Sequence, residues 1–279
     1  MGRGRGCRDD AWSGPVEDDP RHRLHGALDR AAAYVAARGD PLETLRARAL
    51  LGEVAGAEVT ARLAAEGALQ PDAPDRILRS LGMLDDLDQL SGGPGSPVED
   101  VVRGLTARLG ADGSFGAEDA PLDERIVRTG MLGGYLTKSL MLRPRIQSAI
   151  DAFLCRSWDP DRVKTGAWEP IAAYAHWYSL VDSELSDAAL QWCGRELDRG
   201  FRTRQFDALQ TGRVFVLCHA VALPGASLAS GEVCEALCNE QTEDGGFALS
   251  ARALGGDPVG AALDAMTILV RVGLQGSSA

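Results

Sequence analysis

Two stretches of this chain follow one plan. LTARLGADGSFGAEDAPLDERIVRTGMLGGYL (105–136) and NEQTEDGGFALSARALGGDPVGAALDAMTIL (239–269) each pass through a polar Asp-Gly turn into an apolar helical segment. Their aspartates, Asp112 and Asp244, stand 132 positions apart (244 − 112), or three times 44. Four further pairs repeat the plan at about that spacing: an amphipathic helix, a turn rich in Gly, Asp or Pro, then a more apolar helix. This repeat constrains the fold more than any other feature. A single helical hairpin cannot bury both of its faces, so hairpins of this kind must stack into an array.

The two helices of a pair differ in character. The first carries an apolar stripe on one side, as in Ile146, Ile150, Phe153 and Leu154, which suits a helix with one wet face. The second is apolar almost all round, as in VFVLCHAVAL and AALDAMTILV. Glycines supply the positive φ angles that reverse the chain between them. Pro41, Pro74, Pro121, Pro170 and Pro258 stand at or just before second helices, where a missing N–H does no harm. Six outer and six inner helices predict an all-α chain closed into an α/α toroid, or α/α barrel. The opening MGRGRGCRDDAWSGPVEDDP has no periodicity, so residues 1–22 read as a disordered tail and 23–275 as one repeat domain.

Composition narrows the function. The net charge is −11 and no Lys/Arg cluster forms a basic stripe, which excludes a nucleic-acid partner. No uncharged run approaches the ~18 residues of a membrane span, and no signal-like apolar region follows the start. A cytoplasmic protein without a transmembrane segment is expected. None of the six cysteines forms a CxxC pair, so reduced, buried thiols are expected.

NEQTEDGGFAL, followed by an apolar helix, and LTARLGADGSFG resemble the repeat of the terpenoid cyclase and protein prenyltransferase superfamily, the squalene-cyclase and prenyltransferase β-subunit repeat. The resemblance implies an α/α toroid whose central funnel takes a hydrophobic small molecule, such as a prenyl diphosphate. The corresponding activity is that of a cyclase, lyase or prenyl transferase of isoprenoid or specialised metabolism. Two alternatives stand beside it: a non-catalytic toroid that binds a lipid or a protein partner, and a zinc-dependent thiol-addition enzyme of the lanthipeptide-cyclase type.

Candidate site residues follow from these readings. In prenyltransferases an Asp precedes a Tyr-His zinc motif; Asp257 stands at the Asp, but Gly260 and Ala261 occupy the place of the Tyr-His, so no zinc is expected there. Squalene-type cyclases protonate an alkene with an Asp-x-Asp-Asp motif, whereas this chain has the reverse order, Asp85-Asp86-Leu87-Asp88. Three close carboxylates raise one another's pKa and can supply a catalytic acid, or they can hold Mg²⁺ against a diphosphate. At the end of a helix running into SGGPGSP, they can also be merely solvated. His176, His219 and Asp264 are candidate proton donors or acceptors. Arg79, Arg125, Arg128 and Arg213, early in three second helices, would form an anion clamp unless each pairs with a neighbour such as Asp123 or Glu124. Tyr174 and Trp177 share a face and would wall a cation-stabilising pocket, or else pack against a neighbouring helix. For the zinc alternative, Trp192-Cys193-Gly194 and Cys218-His219-Ala220 are similar to lanthipeptide-cyclase ligand motifs, with Cys193, Cys218 and His219 as the ligands.

Overall fold

A computed structural model of the chain describes residues 19–71, 73–93, 95–164, 166–247 and 257–274. The expected tail over residues 1–18 lies outside these. Helix α1 already begins at Pro20, ahead of the expected domain start, because Asp19 accepts from the Arg21 amide and caps it.

The described residues are all-helical, with two isolated β-bridges and no strand among them. The helices fall into six successive hairpins: α1 (Pro20–Arg38) with α2 (Pro41–Leu50), α3 (Gly56–Ala65) with α4 (Pro74–Asp86), and α5 (Pro97–Thr106) with α6 (Leu122–Lys138). Then come α7 (Pro144–Ser157) with α9 (Trp168–Tyr178), α10 (Ser186–Arg202) with α11 (Ala208–Cys218), and α12 (Ser230–Glu240) with α13 (Pro258–Ile268). A short helix, α8 (Pro160–Lys164), is inserted in the fourth turn, and one π-helical turn, Leu269–Leu274, extends α13. No described helix is long and apolar enough to cross a membrane.

Second helices are the more buried. From Ile171 on, every residue of α9 is buried, as is nearly every one of α11, as their all-round apolar sequences require. Their starts are set by side chains. Asp40 and Glu43 form a reciprocal capping box on α2 (2.8 and 2.7 Å). Asp207 and Gln210 do the same on α11, and Asp257 accepts from the Val259 and Gly260 amides on α13. Each such cap contributes ~1 kcal/mol.

The two Asp-Gly turns are used alike. Gly113 (φ +87°) lies so close to α7 that a Cβ would overlap the Ala149 carbonyl, and Gly245 (φ +89°) lies against α1, where a Cβ would overlap the Arg30 carbonyl. Each turn thus presses a bare backbone onto the first helix of another hairpin, a conformation and a clearance that only glycine provides. For the sixth hairpin that neighbour is the first. Arg38 pairs with Asp244 (2.6 Å), Arg30 donates to Gln241 Oε1 (2.6 Å), and the Gln241 amide donates to the Ala27 carbonyl (2.9 Å). Helix α1 also packs along α13 and α12, and α2 packs on α13.

Candidate functional site: a pocket with a charged floor

A cavity of about 640 Å³ opens near the starts of α2, α4 and α13. Exposed side chains form its mouth: Asp40, Glu66, Arg76, Arg79 and Asp257. Buried ones form its floor: Arg46, Asp86, Tyr135 and Arg213.

The floor is an ion network. Asp86, with a fully buried side chain, accepts from Arg46 Nη2 through one oxygen (2.6 Å) and from Arg213 Nη1 through the other. Arg46 reaches on to Asp264 (3.3 Å) at the pocket wall. Burial opposes the Arg213 charge, but Asp86, together with Tyr135 and Asp264 beside it, outweighs burial and holds the guanidinium well above its ordinary pKa. Burial also raises the Tyr135 hydroxyl far above its usual range, so it stays neutral. Gly82 makes this approach possible, since a Cβ there would stand 3.1 Å from Arg213 Nη2 and 3.2 Å from Tyr135 Oη.

Behind the floor, on the neighbouring residue of α4, a second network forms. Asp85 accepts from Lys138 Nζ (2.7 Å), which also donates to the Leu217 carbonyl (2.9 Å), and His219 Nε2 lies 3.5 Å from the other Asp85 oxygen. Burial alone would raise the Asp85 carboxyl, but the His219 hydrogen bond and the Lys138 charge reverse this and hold it well below the usual carboxylate range. Burial lowers the Lys138 ammonium, with Asp85 opposing. His219 closes α11 in the left-handed conformation (φ 49°). His176 is fully buried edge-on to Tyr135, with ring centroids 4.7 Å apart, and neither ring nitrogen has a hydrogen-bond partner. Burial first, then the charge of Lys138, keep it well below its ordinary pKa and therefore neutral.

The sequence candidates thus separate. Asp86, Arg213, Asp264 and Arg79 come together in the pocket. Asp85, His176 and His219 lie beyond its floor. The three acids of the Asp85–Asp88 run diverge rather than converge on one cation: Asp85 and Asp86 are each engaged by basic groups, and Asp88 (φ 56°) sits on the surface paired with Arg271. A solvated end of α4 therefore describes Asp88 but not its two predecessors.

Arg125 and Arg128 lie elsewhere. Arg125 binds Asp112 and Ser114 of the turn and covers the Phe153 ring (5.3 Å), while Arg128 pairs with Glu124 (3.0 Å). Tyr174 and Trp177 face α7 instead of the pocket, donating to the Ser157 carbonyl (3.0 Å) and to Asp151 (3.1 Å). Cys193 and Cys218 are free and buried, and burial raises both thiols, Cys218 to about 11. Among the described residues, no three His, Cys, Asp or Glu side chains are grouped as a metal site.

Arg46, Lys138, Tyr135, Gly82 and Arg76 went unnoticed in the sequence. The available signal was a charge within an otherwise apolar second helix, as at Lys138 in MLGGYLTKSL. A charge there must find a partner across the core. Compared with known proteins, the chain matches no family model, no curated protein and no solved structure.

Proposed function

We propose that this chain is an α/α toroid of the terpenoid-cyclase and prenyltransferase kind, and an enzyme of isoprenoid or specialised metabolism. It takes an amphiphilic small molecule with an anionic, diphosphate-like head into the pocket. Closure of the ring is supported by the Gly245 turn, which meets α1 as the Gly113 turn meets α7.

The ligand reading is carried by an asymmetry of pairing. Each floor charge has an opposite partner, and the carboxylates of the mouth are engaged too: Asp40 and Asp257 cap helices, and Glu66 accepts from Arg62. Arg76 and Arg79 alone among the mouth residues have no hydrogen-bond or ion-pair partner within the described residues. Guanidinium forks suit phosphate oxygens. Leu42, Leu78, Met83, Met131 and Leu263 line the walls below, where an apolar tail gains ~25 cal/mol per Å² buried. The volume lies within the span of small-molecule sites.

Calorimetric titration with farnesyl diphosphate, farnesol and inorganic pyrophosphate tests this. The expected order is farnesyl diphosphate tightest, with its advantage over farnesol lost in the Arg76→Ala/Arg79→Ala variant. Equal binding of farnesol and its diphosphate by the unaltered protein would overturn the head-group assignment. One observation favours a non-catalytic toroid with the same ligand: of the carboxyls a protonating cyclase would call on, Asp85 is held ionised by basic neighbours and Asp86 is occupied by its pairs with Arg46 and Arg213. Incubation with farnesyl diphosphate and Mg²⁺, followed by product extraction, decides between the two. Unchanged substrate despite tight binding selects the second.

A further inference from the structure

The pocket does not stay within the layer of second helices. Its wall includes Leu63 of α3, and Ala68 just beyond the end of that helix. Helix α3 is the first helix of its hairpin, with Leu63 on its buried side. A cavity that reaches Leu63 must therefore pass between α2 and α4. The packing agrees: α3 packs on both α2 and α4, whereas α2 and α4 make little contact with each other among the described residues. Leu42 of α2 and Met83 of α4 line the same cavity. Straight ahead, by contrast, the way is closed by charge. An alkyl chain pressed onto Arg46, Asp86 and Arg213 would bury no apolar partner and would strip polar groups of their remaining solvent.

We infer that the apolar tail of the ligand lies crosswise, in the branch between α2 and α4 that ends on α3, and that Ala68 and Leu63 set the length of tail accepted. This rests on the amphiphilic ligand proposed above. Ala68 is suited to the role because its backbone is fixed: its carbonyl accepts from Ser80 Oγ of α4 (2.9 Å), while its small side chain leaves the branch open. Leu63 forms the end wall. Each further methylene that enters the branch should tighten binding about fourfold, from ~0.8 kcal/mol per methylene.

The test is titration of the full chain with inorganic pyrophosphate, hexyl phosphate, dodecyl phosphate and hexadecyl phosphate. Dodecyl phosphate should bind far more tightly than hexyl phosphate. Ala68→Phe should abolish that advantage and leave hexyl phosphate unchanged. Leu63→Ala acts in the opposite direction, raising the affinity for hexadecyl phosphate over dodecyl phosphate, so the inference remains exposed even if Ala68→Phe folds poorly. Loss of the dodecyl advantage in Met131→Phe but not in Ala68→Phe would place the tail along α6 and overturn the crosswise branch. Binding of pyrophosphate with no gain from any alkyl tail would overturn the branch and leave the anion site standing. Failure of all four probes would overturn the proposed function itself.

Discussion

Replacing Asp86 by Asn tests whether the floor network governs the stability of the pocket. The change keeps the size of the side chain but removes one negative charge from a fully buried position. Arg46 and Arg213, only 7% and 10% exposed at their side chains, would then share the partly exposed Asp264 as their remaining floor carboxylate. Breaking a buried ion pair from one side costs about 3–5 kcal/mol, because a charge remains desolvated without its partner. For a chain of this size each kcal/mol lowers Tm by roughly 2–4 °C, so a fall of roughly 6–20 °C is expected. Circular dichroism melts and urea titrations would both read it. Adding Arg213→Met removes one of the stranded cations and should recover part of the loss, giving a coupling of ~1–3 kcal/mol in the double-mutant cycle. Asp88→Asn is the control, since its largely exposed pair with Arg271 should be worth ~1 kcal/mol or less. An Asp86→Asn protein that melts within about 2 °C of the unaltered chain would refute this account of the floor.

Two acid-sensitive windows should separate. His176 is held neutral below its ordinary pKa, so its protonation favours the unfolded chain and stability should begin to decline below pH ~6.5. His176→Met should remove that early decline and, by deleting two unpartnered buried nitrogens, stabilise the fold by ~1 kcal/mol; urea titrations between mild acid and neutrality would check both. The Asp85 carboxyl is depressed, so its contribution is complete above the unfolded value of ~3.9 and is lost as pH falls further. Asp85→Asn should therefore be destabilised at neutral pH and converge with the unaltered chain in strong acid, and a constant difference across the whole range would refute the Asp85–Lys138 pairing. Gly245→Ala should cost ~1–3 kcal/mol through its positive φ and its clash with the Arg30 carbonyl. It should also speed amide exchange along α1, and unaltered protection there would count against docking of the last hairpin on the first.

Helix type and hairpin order were legible along the chain because both are local. Hydrophobic periodicity distinguishes a helix with one wet face from one buried all round, and Asp40, Asp207 and Asp257 mark helix starts through bonds to amides two or three residues away. The Asp-Gly steps likewise declared their turns, since positive φ is a property of the residue. The partners of charged groups were another matter. Asp85 and Asp86 are adjacent in sequence, yet one meets α6 and the end of α11, and the other meets α2 and the middle of α11. Arg125 and Arg213 both lie on second helices, but one serves its own turn and the other reaches the pocket floor. Coulombic attraction acts through space and strengthens where water is excluded, so its outcome depends on which helices the fold brings together. Sequence by itself determined that this chain is a series of helical hairpins. Tertiary packing alone decided which of its charges line a pocket and which are neutralised inside it.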